Sequence, residues 1–374
     1  MIRYYAMRLW IVHIVLIWSL LLSGCSSSTE PTTHEPETIG WGNLQITPGT
    51  IDNLCVEKSF EDLDPTGGQS KQDFSSGLGV GFLPQNASTA NKIFPATFLL
   101  NANEQPTFNL IFLYPKGNKD ALNLRLFVLL DERQLDNALP ESGIYNDISL
   151  QPGDDKSITI TIPPLSPGVH EVIAVSVPYP ENEPDEYGGV TVIHQRITLI
   201  VGETPTPPFR TIDFTTLPAE GSFKHDDPAM ALELTVKKDG IDVWNWPHPW
   251  LDIQENTPFT FYALGGHQDV TNLDAPEVEP LKSSFSAFLL FVDYQQVEIA
   301  PNQTSLYAKM DSDTAYARLP ITLPPLPAGK HHILVLRIDT PGVPMCILWG
   351  NSDERILPNS VYGKLVGLNV LPEP

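Results

Sequence analysis

A chain of 374 residues that is 41% hydrophobic and carries a formal charge of −23 is long enough for two ordinary domains and too apolar to be a disordered polymer. Its acidity argues against nucleic acid as a partner, because such a surface repels phosphate backbones. Thirty-six prolines and 25 glycines exceed average usage without reaching low-complexity levels, which suits a fold with many turns.

Residues 1–8 contain Arg3 and Arg8 and no acid. Residues 9–22 then form an apolar run of 14 positions, broken only by His13 and Ser19. That length matches the core of an export signal and falls short of the ~20 residues that span a bilayer. Leu22-Ser23-Gly24-Cys25 follows directly. This run resembles the lipobox of bacterial lipoproteins: a branched apolar residue, two small residues, then cysteine. The resemblance implies that residues 1–24 are a signal peptide removed by a dedicated peptidase. It also implies a diacylglycerol on the thiol of Cys25 and a lipid-anchored, extracytoplasmic location at the cell membrane or outer envelope. Cutting there removes two of the 22 basic residues and no acid, so 20 basic and 45 acidic residues leave a charge of −25.

Residues 26–38 offer no apolar side chain to a core and include Pro31 and Pro36. Together with the lipidated cysteine, residues 25–40 read as a solvated tether that holds the folded part off the membrane. One acyl chain binds a bilayer marginally, so stable attachment calls for a second.

Beyond the tether, β-branched and aromatic runs alternate with Pro/Gly/Asn/Asp clusters. The runs at 108–114, 122–130 and 157–162 are strands by this pattern, and no stretch keeps a 3.6-residue apolar period free of proline. The expectation is an all-β protein. An internal repeat organises it. Glu104-Gln105-Pro106-Thr107-Phe108 recurs loosely as Glu255-Asn256-Thr257-Pro258-Phe259. Leu129-Leu130-Asp131-Glu132-Arg133-Gln134 recurs as Phe291-Val292-Asp293-Tyr294-Gln295-Gln296. The block at 160–172 returns most clearly at 321–333, with a longer loop near 274–280 in the second copy. Thr204-Pro205-Thr206-Pro207-Pro208 separates the copies as a stiff connector, so the expected domains are 41–203 and 209–374.

The repeated block at 160–172 is a strand, a Leu-x-Pro/Ala-Gly turn, and a polar ring opening the next strand. It resembles the E–F corner of bacterial immunoglobulin-like domains, where a tyrosine often ties back to the preceding backbone. Here His170 and His331 stand in that place, and an imidazole N–H can make the same bond. The resemblance implies two immunoglobulin-like β-sandwiches in tandem and no particular activity. The buried tryptophan and cysteine pair usual in that family are not evident.

His225-Asp226-Asp227, His248 and His267 carry metal-ligand chemistry, but their spacing puts no two on one face. Asp154-Asp155 and Asp311-Ser312-Asp313 read as turns, since they lack the ligand ladder of a calcium loop. Gly77-Leu78-Gly79-Val80-Gly81 is followed by Phe82-Leu83-Pro84 rather than a helix, which argues against a phosphate loop. No nucleophile elbow is present, and neither Cys55 nor Cys346 has a thiol-protease context. Those two cysteines are either one disulfide joining the halves or, in the preferred reading, two separately buried thiols. Trp244, Trp246 and Trp250 cluster in the second half only, and serve either as a stacking platform for a glycan or as apolar filler. No catalytic, cofactor or metal residue is assigned. The expected function is non-catalytic binding or scaffolding of a protein or glycan; the alternatives are a glycan-binding module or a cryptic hydrolase site in the second domain.

Overall fold

The computed structural model describes residues 78–84, 97–101, 105–140, 143–178, 192–202, 210, 212–220, 232–239, 250–266, 283–311, 316–344 and 360–372. Among them every regular element is a β-strand. The first copy supplies β1 (Gly79–Pro84), β2 (Thr97–Leu100), β3 (Thr107–Leu113), β4 (Leu122–Leu130), β5 (Arg133–Gln134), β6 (Asn146–Leu150), β7 (Asp155–Thr161), β8 (Gly168–Pro178) and β9 (Ile193–Val201). The second supplies β10 (Thr215–Thr216), β11 (Ala219–Glu220), β12 (Glu233–Thr235), β13 (Trp250–Gln254), β14 (Phe259–Gly265), β15 (Ser283–Val292), β16 (Gln295–Val297), β17 (Ser305–Asp311), β18 (Tyr316–Leu323), β19 (Gly329–Asp339) and β20 (Val361–Leu371).

These strands make four sheets. In the first copy a small outer sheet, β1-β3-β7, faces an inner sheet ordered β2-β9-β8-β4-β5, with β6 also on β4. In the second, the outer sheet β11-β18-β14-β12 faces an inner sheet ordered β10-β17-β15-β19-β20-β13. The protein is all-β, built from two immunoglobulin-like sandwiches in tandem. In each inner sheet an outlying strand pairs in parallel: β2 on β9, and β13 on β20.

The period-2 alternation of strands decides where each core lies. Leu122, Leu124, Leu126 and Val128 of β4 meet Phe108, Leu110 and Phe112 of β3 in the first sandwich core. Phe288, Leu290 and Val292 of β15 meet Phe261, Leu319 and Ile321 in the second. The alternate residues on these inner strands are equally buried. Phe127, Leu129, Ile173 and Val175 pack against Leu289, Phe291, Leu334 and Leu336 in a third core, hereafter the seam. Phe127 and Phe291 meet there with ring centroids 5.0 Å apart. The inner sheets are thus covered on both faces, the four sheets stack as layers, and residues 38–374 form one compact unit. The connector at 204–208, where the domain boundary is expected, lies outside the described residues.

Candidate functional site

The seam gathers a set of buried polar groups that includes Glu132, Glu171 and Arg196, and it grows from the repeated turns. Asp131-Glu132 between β4 and β5, and Asp293-Tyr294 between β15 and β16, are two-residue hairpin connections. All four residues have positive φ, at 49°, 61°, 50° and 65°. Tight hairpins of this twist favour Asn or Gly at such positions, and bulkier residues persist only when their surroundings hold them.

The holding groups are the corner histidines. In the first copy His170 Nδ1 lies 2.7 Å from Asp131 Oδ2, and its Nε2–H donates to Ser166 O at 2.9 Å. The other oxygen, Asp131 Oδ1, accepts from the Glu171 backbone N–H at 2.9 Å. The second copy repeats the arrangement with His331, Asp293 and Pro327 O at the same 2.7 and 2.9 Å distances, and Asp293 Oδ1 accepts from the His332 N–H. Gly168 and Gly329, at φ 142° and 144°, open the strands that carry these rings, in a region that disfavours a Cβ. The bond to Asp131 and its charge hold the His170 imidazolium above the ordinary histidine value, against the opposing effect of burial.

Once clipped, each turn drives a side chain into the seam. Glu132 is wholly buried; it accepts from Arg210 and, at 2.9 Å, from the Tyr307 hydroxyl. Tyr294 occupies the equivalent place in the second copy and meets Tyr145, ring centroids 6.2 Å apart. Tyr307 belongs to the second copy and Tyr145 to the first, so each turn side chain meets a tyrosine of the other copy. Between them Gln134 and Gln296 exchange hydrogen bonds: each backbone N–H donates to the other's Oε1 at 2.7 Å. The side-chain amides donate in turn to Tyr294 O and Glu132 O, both at 2.8 Å.

The two ends of the seam differ in chemistry. At the first, Arg196 donates to Glu171, to Asp339 O at 2.7 Å and to Thr340 O at 2.6 Å, tying β9 to the end of β19. Complete burial pulls its guanidinium down to about 9, with Glu132 and Asp339 opposing the fall. Tyr307 is raised to about 12, first by burial and then by Glu132. At the second end, Arg125 makes a bidentate pair with Asp147, both bonds 2.7 Å, and stacks 4.2 Å from the Tyr145 ring and 4.6 Å from the Tyr294 ring. Burial pushes the Tyr294 phenol well above its ordinary value, and burial lowers His332.

The residues singled out from sequence fare unevenly. His170 and His331 are the corner pair just described. Trp250 sits on β13 opposite Gly367, on the same sheet face as His332. A Cβ at position 367 would lie 2.3 Å from the indole, so the ring rests on bare backbone. The ring also meets His332, edge-on at 5.5 Å, and Lys330 Nζ at 4.8 Å. Cys25, Cys55, Cys346, Trp244, Trp246, His225, Asp226, Asp227, His248 and His267 lie outside the described residues. Asp154 closes a turn by accepting from the Gln151 N–H at 2.7 Å, and Asp311 accepts from Ser283 Oγ at 2.8 Å. Gly79 and Gly81 belong to β1, a strand paired in register with β3. Among the described residues no group of three or more His, Cys, Asp or Glu is gathered to hold a metal, and no helix is long and apolar enough to cross a membrane.

No family model matches the chain, and no curated protein does. Among solved structures, a CARDB domain from Pyrococcus furiosus in complex with di-metal ions is similar over 33% of this chain and 87% of its own, at 14% identity and a TM-score of 0.21. Red sea bream transglutaminase is similar over 79% of this chain at 8% identity and a TM-score of 0.20, and the match spans 31% of that enzyme. At these scores neither likeness carries an argument about this chain.

Proposed function

We propose that the protein is a lipid-anchored, extracytoplasmic binding or scaffolding protein without catalytic activity, in which the two sandwiches act as one body. Support for the anchor comes from the export-signal core, the Leu22-Ser23-Gly24-Cys25 run and the apolar-free tether after it. Support for a scaffold comes from the seam, and the crosswise pairing of Gln134 with Gln296 is the observation that carries it. Groups that could serve acid–base chemistry, Glu132, Glu171, Arg196 and Tyr307, are used as internal braces between the sandwiches. Such bracing suits a stiff spacer that presents an outer surface to a protein or a glycan at a distance from the membrane.

Mass spectrometry of the native N-terminus, with membrane fractionation of the wild type and Cys25→Ala, tests the anchor. A diacylated Cys25 and loss of membrane association in the variant are expected; an unmodified Cys25 overturns it. Screening the chain from residue 26 onward against protein and glycan arrays tests the binding role. Turnover of an ester or glycoside substrate by that same preparation would replace the scaffold reading with a hydrolase.

A further inference from the structure

The repeat places Glu171 and His332 at equivalent positions, each one residue after its corner histidine and each on the seam face of its inner sheet. Their surroundings have diverged. Glu171 is paired with Arg196. The His332 ring packs among aromatics instead, 5.9 Å from the Tyr294 ring and 5.5 Å from Trp250. Tyr294 in turn carries Arg125 of the other sandwich on its face, so the His332 ring stands one layer from the junction.

We propose that the end of the seam formed by His332, Tyr294, Tyr145 and Arg125 is an acid-sensitive latch between the two sandwiches. Closed, it suits a neutral imidazole packed on rings. An added proton would place a new cation in this half-buried nest near the Arg125 guanidinium, with Lys330 and His331 of its own strand adding repulsion. Asp293 faces it from the β15–β16 turn and attracts the charge, while Asp147 is already engaged by Arg125 on β6. Trp250 of β13 and Gly367 of β20, which also border the ring, carry no charge. Opening the latch exposes the ring to water, where protonation proceeds at the ordinary histidine value.

The sign follows from which form binds the proton. Burial lowers His332 in the closed form, so the open form takes up a proton first as pH falls below about 6.5. Acidification therefore favours opening at this end. The opposite end, where Arg196 and Arg210 hold Glu171 and Glu132, acts as the hinge.

Hydrogen exchange of the full chain at pH 7 and pH 5, corrected for intrinsic rates, tests the latch. Peptides covering 125–134, 145–150 and 290–297 are expected to exchange severalfold faster at pH 5, and His332→Gln to abolish that increase. An increase of the same size in His332→Gln, or one spread evenly over both outer sheets, overturns the proposal. Should the variant fold poorly, NMR titration of the His332 ring in the wild type decides alone: titration below 6.5 supports the latch, and titration at or above it overturns it.

Discussion

Gln134 and Gln296 stand 162 positions apart and bond each other reciprocally, each backbone N–H donating to the other's side-chain oxygen at 2.7 Å. Equivalent residues that meet in this way lie at a local two-fold relation between the copies, as isologous interfaces do between identical subunits. The clasp forms because both follow the same clipped turn, which aims β5 and β16 at one another.

Neither glutamine can be lost without stranding its partner. Replacing either by Ala leaves a part-buried N–H without its acceptor, at a cost of about 1–3 kcal/mol. Because the bonds are shared, the double variant Gln134→Ala/Gln296→Ala is expected to cost less than the two single changes combined. Urea denaturation of all three variants measures this, and strict additivity would show that the two bonds act independently.

His170 makes stability fall toward alkaline pH. Both atoms facing its ring, Asp131 Oδ2 and Ser166 O, accept hydrogen bonds, so the imidazolium alone satisfies both. Its folded value is raised, so the contribution is fully present below about 6.5, the unfolded value, and is lost as pH rises through the folded one. The stability gap between wild type and His170→Gln should therefore be widest near pH 6 and shrink by pH 9. Thermal melts across that range check it; a gap that grows with pH has the wrong sign.

Arg196 is expected to be among the costliest side chains to truncate. Arg196→Met leaves Glu171 buried without its cation and strands the carbonyls of Asp339 and Thr340, so a loss of about 3–5 kcal/mol is expected. Changing Glu171 to Leu in the same chain should recover part of it, because the unpaired charge goes with it. Chemical denaturation of the single and double variants decides between this and a simple loss of packing.

The Trp250 indole rests on Gly367, and a Cβ there would sit 2.3 Å from the ring. Gly367→Ala should cost about 1–3 kcal/mol through overpacking. Adding Trp250→Ala should remove that cost, since no ring remains to collide with. Melts of the four-member cycle would show coupling; two independent losses would mean the indole can swing away from β20.

Cleavage in the connector at 204–208 should leave the halves together. Its prolines suit protease access, but the seam joins the sandwiches by a continuous apolar core and the glutamine clasp. A nicked preparation is expected to elute as one species on size exclusion and to part only in denaturant.

Local pattern alone was enough for the β class, the duplication and the corner histidines. Strand signals, turn residues and the block around His170 and His331 are short-range features, readable wherever the chain goes. The seam was written less plainly. Runs such as Phe288-Leu289-Leu290-Phe291-Val292 and Val172-Ile173-Ala174-Val175 are apolar at every position rather than every second one, which marks strands covered on both faces. Nothing local says what covers the second face, and the partner surface lies roughly 160 residues away in the other copy. The burial of Glu132 and Tyr294 is not written in the local sequence, because positive φ and burial are outcomes of packing rather than of composition. The tertiary structure settled their roles: only when two like-shaped faces meet do a turn carboxylate, a turn phenol and two glutamines become the interior of the molecule.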